Sequence, residues 1–192
     1  MCGRYVLAST EKIKNKYNYS IKPNYNISPN SKVFVLDNSL FPNEINWGFS
    51  PLWNKNYFNT INARIETLYE KLFFRNTLRC VVLADGYYEW KQESNFKQPY
   101  YHYLKDDFLY FAGIYNSSSG CCIVTKESDD NISHIHNRQP LIIQEQYIEK
   151  WITNKYDRRF CNNEKLNFHK VRLDVNIPSN NSSANIIIKQ HI

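Results

Sequence analysis

Between residues 80 and 125 the chain passes through five strand-length segments, and this stretch limits the fold more than any other. Cys80–Ala84, Tyr87–Lys91, Tyr100–Leu104, Phe108–Tyr115 and Cys121–Thr125 are rich in Val, Ile, Tyr and Phe, residues that pack well on a pleated surface. Asp85-Gly86, between the first two, reads as a hairpin-type turn. Further short strands are expected at Arg4–Leu7, Val33–Leu36, Glu44–Trp47, Pro140–Ile143 and Phe168–Val175. Helices are expected from Ser9-Thr10-Glu11 to Tyr17, over Glu66–Leu78, where Leu68, Tyr69, Leu72 and Phe73 share a face, and over Gln144–Ile152, with Ile148 and Trp151 facing in. Ile21–Asn30, broken by Pro23 and Pro29, reads as a loop, and Trp47–Trp53 as a loop presenting two Trp. Pro178–Ala184 reads as a loose tail, with Ile186–Ile188 able to pair with a sheet edge. The expectation is α+β: a single compact domain over 1–192, dominated by antiparallel strands, with its core over about 2–176 and a tail over 177–192.

The 192 residues suffice for one core. Lys and Arg number 24 against 18 acids, giving a net charge of +6, and 16% of the chain is aromatic. Cations neutralise phosphates and aromatic faces stack on bases, so a nucleic acid suits this surface, as does the plain alternative of a basic soluble protein. Five cysteines stand at 2, 80, 121, 122 and 161, an odd number with no CxxC pair and no zinc-site spacing. The first apolar run, Tyr5–Ala8, is too short for a secretory signal, and no run of about eighteen apolar residues is present. The expectation is an intracellular protein in a reducing compartment, cytoplasm or nucleoid in a bacterium and nucleus in a eukaryote, a monomer with no membrane, metal or cofactor.

Cys2 is the residue with most chemistry. Initiator methionine is removed before a small residue, which would leave an amine and a thiol on one residue, with ordinary pKa values of about 8 and about 8.5. Such an aminothiol condenses with an aldehyde to an imine that the thiol closes to a thiazolidine. Alternatively the thiol attacks an acyl carbon with the amine as base. Three other segments place polar groups among apolar ones. Asn62–Thr67 is either a capped helix entry or a site segment. Glu89 lies between aromatics on a strand, where desolvation would raise its pKa into a range useful for proton transfer; the bland alternative is a surface-facing Glu. His134–Pro140 could supply an acid/base His beside an Arg, or be a solvated loop.

Taken in order, Met1-Cys2-Gly3-Arg4-Tyr5, Tyr25–Pro29, Trp47–Trp53, Asn62-Ala63-Arg64-Ile65-Glu66-Thr67, Ala84–Trp90, Phe111–Ile114, Ile123–Thr125 and His136-Asn137-Arg138-Gln139-Pro140 resemble the SOS-response-associated peptidase (SRAP) family, over residues 2 to about 176. The resemblance implies a mainly antiparallel β architecture with flanking helices and a basic DNA-binding groove. It implies sensing of abasic sites in single-stranded DNA through a covalent crosslink to the N-terminal cysteine. By position, Cys2 matches the nucleophile, Asn62 a residue orienting it and the sugar, Glu89 the carboxylate beside the amine, and His136 the group assisting ring opening. Arg4, Arg64 and Arg138 match phosphate contacts, Trp47 and Trp90 cleft aromatics, and Thr125 a further DNA contact. Asn137 and Gln139 depart from the family's usual Asp and Met, and the basic residue often found near Leu72 is absent there, with Lys71 adjacent. Competing functions are a thiol peptidase or autoprotease using Cys2, a glutamine amidotransferase, whose other signatures are missing, an abasic-site lyase, and a binder of single strands in which Cys2 is incidental.

Overall fold

Thirteen strands and two short helices are seen in a computed structural model that describes residues 2–51, 59–155, 157 and 165–186. Five strands form one sheet in the order β13 (Asn167–Lys170), β8 (Lys97–Tyr103), β7 (Gly86–Gln92), β1 (Tyr5–Leu7) and β2 (Asn24–Ile27). The second sheet runs β11 (Arg138–Pro140), β10 (Gly120–Glu127), β9 (Leu109–Asn116), β6 (Leu78–Ala84), β3 (Lys32–Leu36) and β4 (Pro42–Asn46), with β12 (Ile142–Ile143) on β9 and β5 (Asn62–Arg64) on β10. All pairs are antiparallel except β5 with β10. The described residues therefore form a mainly antiparallel α+β domain, as expected.

Side chains from both sheets meet in one core. Tyr5 packs edge-on against Trp47 at 5.3 Å and Phe111 at 6.0 Å, and Tyr87 against Phe111 at 5.9 Å. β6 is buried along nearly its whole length, which explains its unbroken run Cys80–Ala84 of small and branched residues. Aromatic pairs of this kind add to what their buried area contributes.

Asp85-Gly86 is not a hairpin turn. β6 pairs with β9 in one sheet, and β7 with β8 and β1 in the other, so the dipeptide carries the chain between sheets. Asp85 Oδ2 accepts the backbone N–H of Ala8 at 2.6 Å and of Ser9 at 3.0 Å. It thereby holds the entry to α1 (Thr10–Tyr17), where Ser9 makes no cap bond of its own. Gly86 is required by crowding: a Cβ there would lie 2.4 Å from the Tyr101 ring and 2.5 Å from the His102 carbonyl oxygen.

Other expectations also change. The loop over 21–30 contains β2. Glu66–Leu78 is not a helix but two 3-10 turns, Ile65–Thr67 and Leu72–Phe74. The break lets both Phe73 and Phe74 pack on Phe49, at 5.5 and 5.9 Å, which a continuous helix would forbid by pointing adjacent residues apart. Tyr69 and Leu72, expected to share a face with Leu68 and Phe73, are each 67% exposed, whereas Leu68 is buried. The helix expected over Gln144–Ile152 is a 3-10 turn, Glu145–Tyr147, followed by α2 (Ile148–Ile152), which buries Ile148 and Trp151 as anticipated. The last strand ends at Lys170, and Leu173–Asn176 turns into 3-10 geometry. The tail is pinned: Asn26 Nδ2 donates to the carbonyls of Val175, Ile177 and Asn180, and Asn185 is buried. Trp53, Cys161, Ile187 and Ile188 lie outside the described residues.

Candidate active site

The short strand β5 positions the site. Asn62–Arg64 run parallel to Ile123–Thr125 of β10, so Ala63 points into the core while Asn62 and Arg64 share the other face. Asn62 Nδ2 donates to the carbonyl oxygen of Cys2 at 2.8 Å, fixing the main chain beside the nucleophile. Asn62 Oδ1 is buried with no hydrogen-bond partner among the described residues. Cys2 is itself fully buried, and burial, with the Glu89 carboxylate adding to it, pushes its thiol up.

Glu89 comes from β7, two residues beyond Tyr87 on the inward face. It is buried, and burial raises its carboxyl pKa against neighbouring positive charge, His136 among it. The reading of Glu89 as a desolvated carboxylate matches this geometry. Tyr5 and Tyr87 stand opposite one another in the β1–β7 register, and both hydroxyls are buried without partners among the described residues. These tyrosines were not singled out from sequence as site residues; their inward place shows only once β1 and β7 are paired.

His136 ends the 129–136 turn region that enters β11. Its Nδ1 faces the main chain of Arg138, 3.0 Å from the N–H and 3.1 Å from the carbonyl oxygen. Gln139, one of the two departures from the family pattern, has a clear local task. It is buried, its Oε1 accepts the Asp129 N–H at 2.8 Å, and its Nε2 donates to Asp129 Oδ2 at 3.1 Å. The pair closes the turn that carries His136, replacing the packing an apolar residue would give. Among the described residues no partner of the Asn137 side chain explains the other departure.

From four distant segments, Asn62 thus bonds the Cys2 main chain, Glu89 comes within electrostatic reach of Cys2, and His136 within reach of Glu89. The expected DNA contacts divide. The Arg64 side chain is exposed and has no ion pair or hydrogen bond among the described residues. Arg4 is half-buried, and its Nη1 donates to Asn26 Oδ1 at 2.8 Å and to the Val175 carbonyl at 2.9 Å. Trp90 lies on the face of β7 opposite Glu89 and donates its Nε1–H to Asn176 Oδ1 at 2.7 Å. Trp47 does not line a cleft: it is fully buried and donates to the Ile61 carbonyl at 3.0 Å. Thr125 is fully buried beneath Arg138. Arg138 does not present its guanidinium to solvent: Nη1 and Nη2 donate to Glu66 Oε1 and Oε2 at 2.8 and 3.0 Å, and Nη2 also to the Thr125 carbonyl at 2.8 Å. That contact holds the Glu66 carboxyl below the usual carboxylate range. Sequence reading missed Glu66 as a partner, although it stands two residues from Arg64 in the motif. Among the described residues no group of three His, Cys, Asp or Glu side chains could hold a metal, and no helix is long and apolar enough to cross a membrane.

Comparison with known proteins agrees with the motif order. The model of the SOS response associated peptidase (SRAP) family matches residues 1–178. The abasic site processing protein YoaM of Bacillus subtilis is 30% identical over 232 aligned residues, covering both chains completely. The abasic site processing protein YedK of Escherichia coli is 31% identical over 178 residues, 79% of each chain. A crystal structure of a Bacteroides thetaiotaomicron protein superposes with a TM-score of 0.85 at 23% identity, covering 98% of this chain and 100% of that one. The chain is a member of the SRAP family.

Proposed function

We propose that this protein captures abasic sites in single-stranded DNA, forming a thiazolidine between the opened sugar and Cys2 after Met1 is removed. The observation that carries this reading is a chain of contacts: Asn62 bonds the Cys2 carbonyl, Glu89 acts on Cys2, and His136 acts on Glu89. The names of the relatives support the abasic-site chemistry.

While Met1 is attached, the Cys2 nitrogen is an amide and cannot condense with an aldehyde. Once freed, the amine attacks C1′ of the open-chain sugar. The carbinolamine loses water to give an imine, and the Cys2 S–H adds across the C=N bond, sulfur to carbon and hydrogen to nitrogen. One water leaves in all, and no oxidant is needed. Closing the ring also removes the imine that β-elimination of the strand would use. His136 serves ring opening, taking the C1′ hydroxyl proton and delivering it to O4′ as the C1′–O4′ bond breaks. Glu89, whose carboxyl pKa is raised by burial, is the group placed to supply the proton that lets water depart. Asn62 Oδ1 and the hydroxyls of Tyr5 and Tyr87 are polar groups that sugar oxygens can satisfy.

Direct attack of Cys2 on a peptide bond, the peptidase reading, asks for a thiol with a lowered pKa. The upward shift of Cys2 favours capture, in which the thiol adds only after the imine has formed. Arg64, exposed on the same face as Asn62, is the cation best placed for a phosphate. The test is to mix the protein with single-stranded DNA containing one abasic site and run a denaturing gel without borohydride. A stable protein–DNA band is expected; a cut strand without adduct indicates lyase chemistry instead, and no change in either indicates a plain binder.

A further inference from the structure

The side chain and the main chain of Arg138 do different things, and together they bear on His136. The guanidinium is held by both Glu66 oxygens and by Thr125, whose hydroxyl lies 3.2 Å from Nη2. A planar fork engaged bidentately on a carboxylate is fixed in direction as well as position. On its other side, Arg138 stands opposite Glu127 in the β10–β11 ladder, and Asn137 supplies the carbonyl that bonds back to Ser128. The N–H and C=O of Arg138 therefore point to the outer edge of β11, where the imidazole sits. One ring nitrogen, Nδ1, faces a donor at 3.0 Å and an acceptor at 3.1 Å.

We propose that Arg138 is a positioning residue for His136, anchored by Glu66, whose strand edge offers Nδ1 a partner in every protonation state. When Nδ1 is bare it accepts the Arg138 N–H, and Nε2 carries the proton. When Nδ1 is protonated it donates to the Arg138 carbonyl, and Nε2 is either the base or, as imidazolium, the acid. The ring can take a proton at Nε2 and return it without losing its mooring. This inference rests on the capture reading for its kinetic consequence, and it gives Arg138 an internal task.

Three readouts test it on the full-length protein: single-turnover crosslinking rate at saturating abasic strand, affinity for intact single-stranded DNA across salt, and the ¹⁵N NMR signals of the His136 ring. Glu66→Gln is expected to slow crosslinking on the order of ten- to a hundredfold while affinity stays within about twofold, since misplacing a proton-transfer group costs rate rather than binding. The ring signals should shift toward a different tautomer mixture, and Glu66→Asp should restore most of the rate. If Glu66→Gln fails to fold by thermal melt, Arg138→Lys, which keeps the charge but loses the fork, is read the same way. The proposal is overturned if a folded variant keeps both its rate and its ring signals. It is equally overturned if Arg138→Gln, which removes the charge, weakens DNA binding with a salt slope lower by about one while the saturated rate holds, the mark of a phosphate contact alone. Absence of any crosslink in the wild type would overturn the capture reading instead, and the ring signals, which need no DNA, would still decide the positioning role.

Discussion

Cys2 and Glu89 are both buried, and burial disfavours the ionised form of each: the thiol is pushed up and the carboxyl is raised. That suits a sequence in which the amine reacts first and the thiol second. Cys2→Ala is expected to abolish the adduct that survives denaturation while leaving an imine that borohydride traps, as a gel with and without reductant would show. His136→Ala should slow capture by about a hundredfold or more, yet let adduct accumulate over long incubation, because general acid–base help affects rate and not the final equilibrium. Glu89 also has a stability signature. Its folded pKa is raised, so its contribution is fully present below the ordinary carboxylate range and is lost as pH rises through the folded value. Glu89→Gln should therefore match the wild type in acid and become the more stable protein toward neutral pH in urea unfolding, while capturing DNA more slowly. Stability gained where activity is lost is the pattern expected of a group kept for chemistry.

At the scale of elements, the crossing between sheets at Asp85-Gly86 aligns the site, since it sends β6 into one sheet and Glu89 on β7 into the other. Asp85 secures that crossing by accepting two N–H groups at the start of α1. Asp85→Ala is expected to cost about 2 kcal/mol, the scale of hydrogen bonds to a charged acceptor, and a lowered urea midpoint at unchanged slope would show it. Strand positions from Val33 to Thr125 were legible because β-branched and aromatic runs there have little other use. The pairing was not legible. Asp85-Gly86 carries the local signature of a hairpin, and only contacts with Tyr110 on β9 and Tyr103 on β8 reveal that its two strands part. β5 is three residues of unremarkable propensity, made a strand by Ile123–Thr125 some sixty positions away. The 66–78 segment has a helical apolar pattern, and tertiary packing of Phe73 and Phe74 on Phe49 overrides it. Cys2, Asn62, Glu89 and His136 could be named from their motifs, whereas the commitment of Arg138 to Glu66, the burial of Trp47 and the Gln139–Asp129 closure depend on contacts that no local pattern encodes.

For the whole molecule, a net charge of +6 favours a polyanion, and affinity for single-stranded DNA should fall steeply with salt. Arg64→Ala should weaken intact and abasic strands alike and reduce the salt slope by about one. The core also sets an acid limit. His102 is stacked on Tyr87 at 4.7 Å, and burial lowers its pKa to about 3. A group lowered in this way contributes stability at neutral pH that is lost as pH falls from about 6.5 toward the folded value, at up to about 1.4 kcal/mol per pH unit. His102→Gln should flatten this part of the stability–pH curve. The central claim, that Cys2 closes a ring on the sugar, is tested most directly by the intact mass of the denatured adduct after thiol alkylation. A thiazolidine occupies the Cys2 sulfur, so of the five cysteines four should alkylate, on a protein lacking Met1 and joined to the strand with loss of one water. Five alkylated thiols on the adduct, or an adduct that retains Met1, would contradict the account.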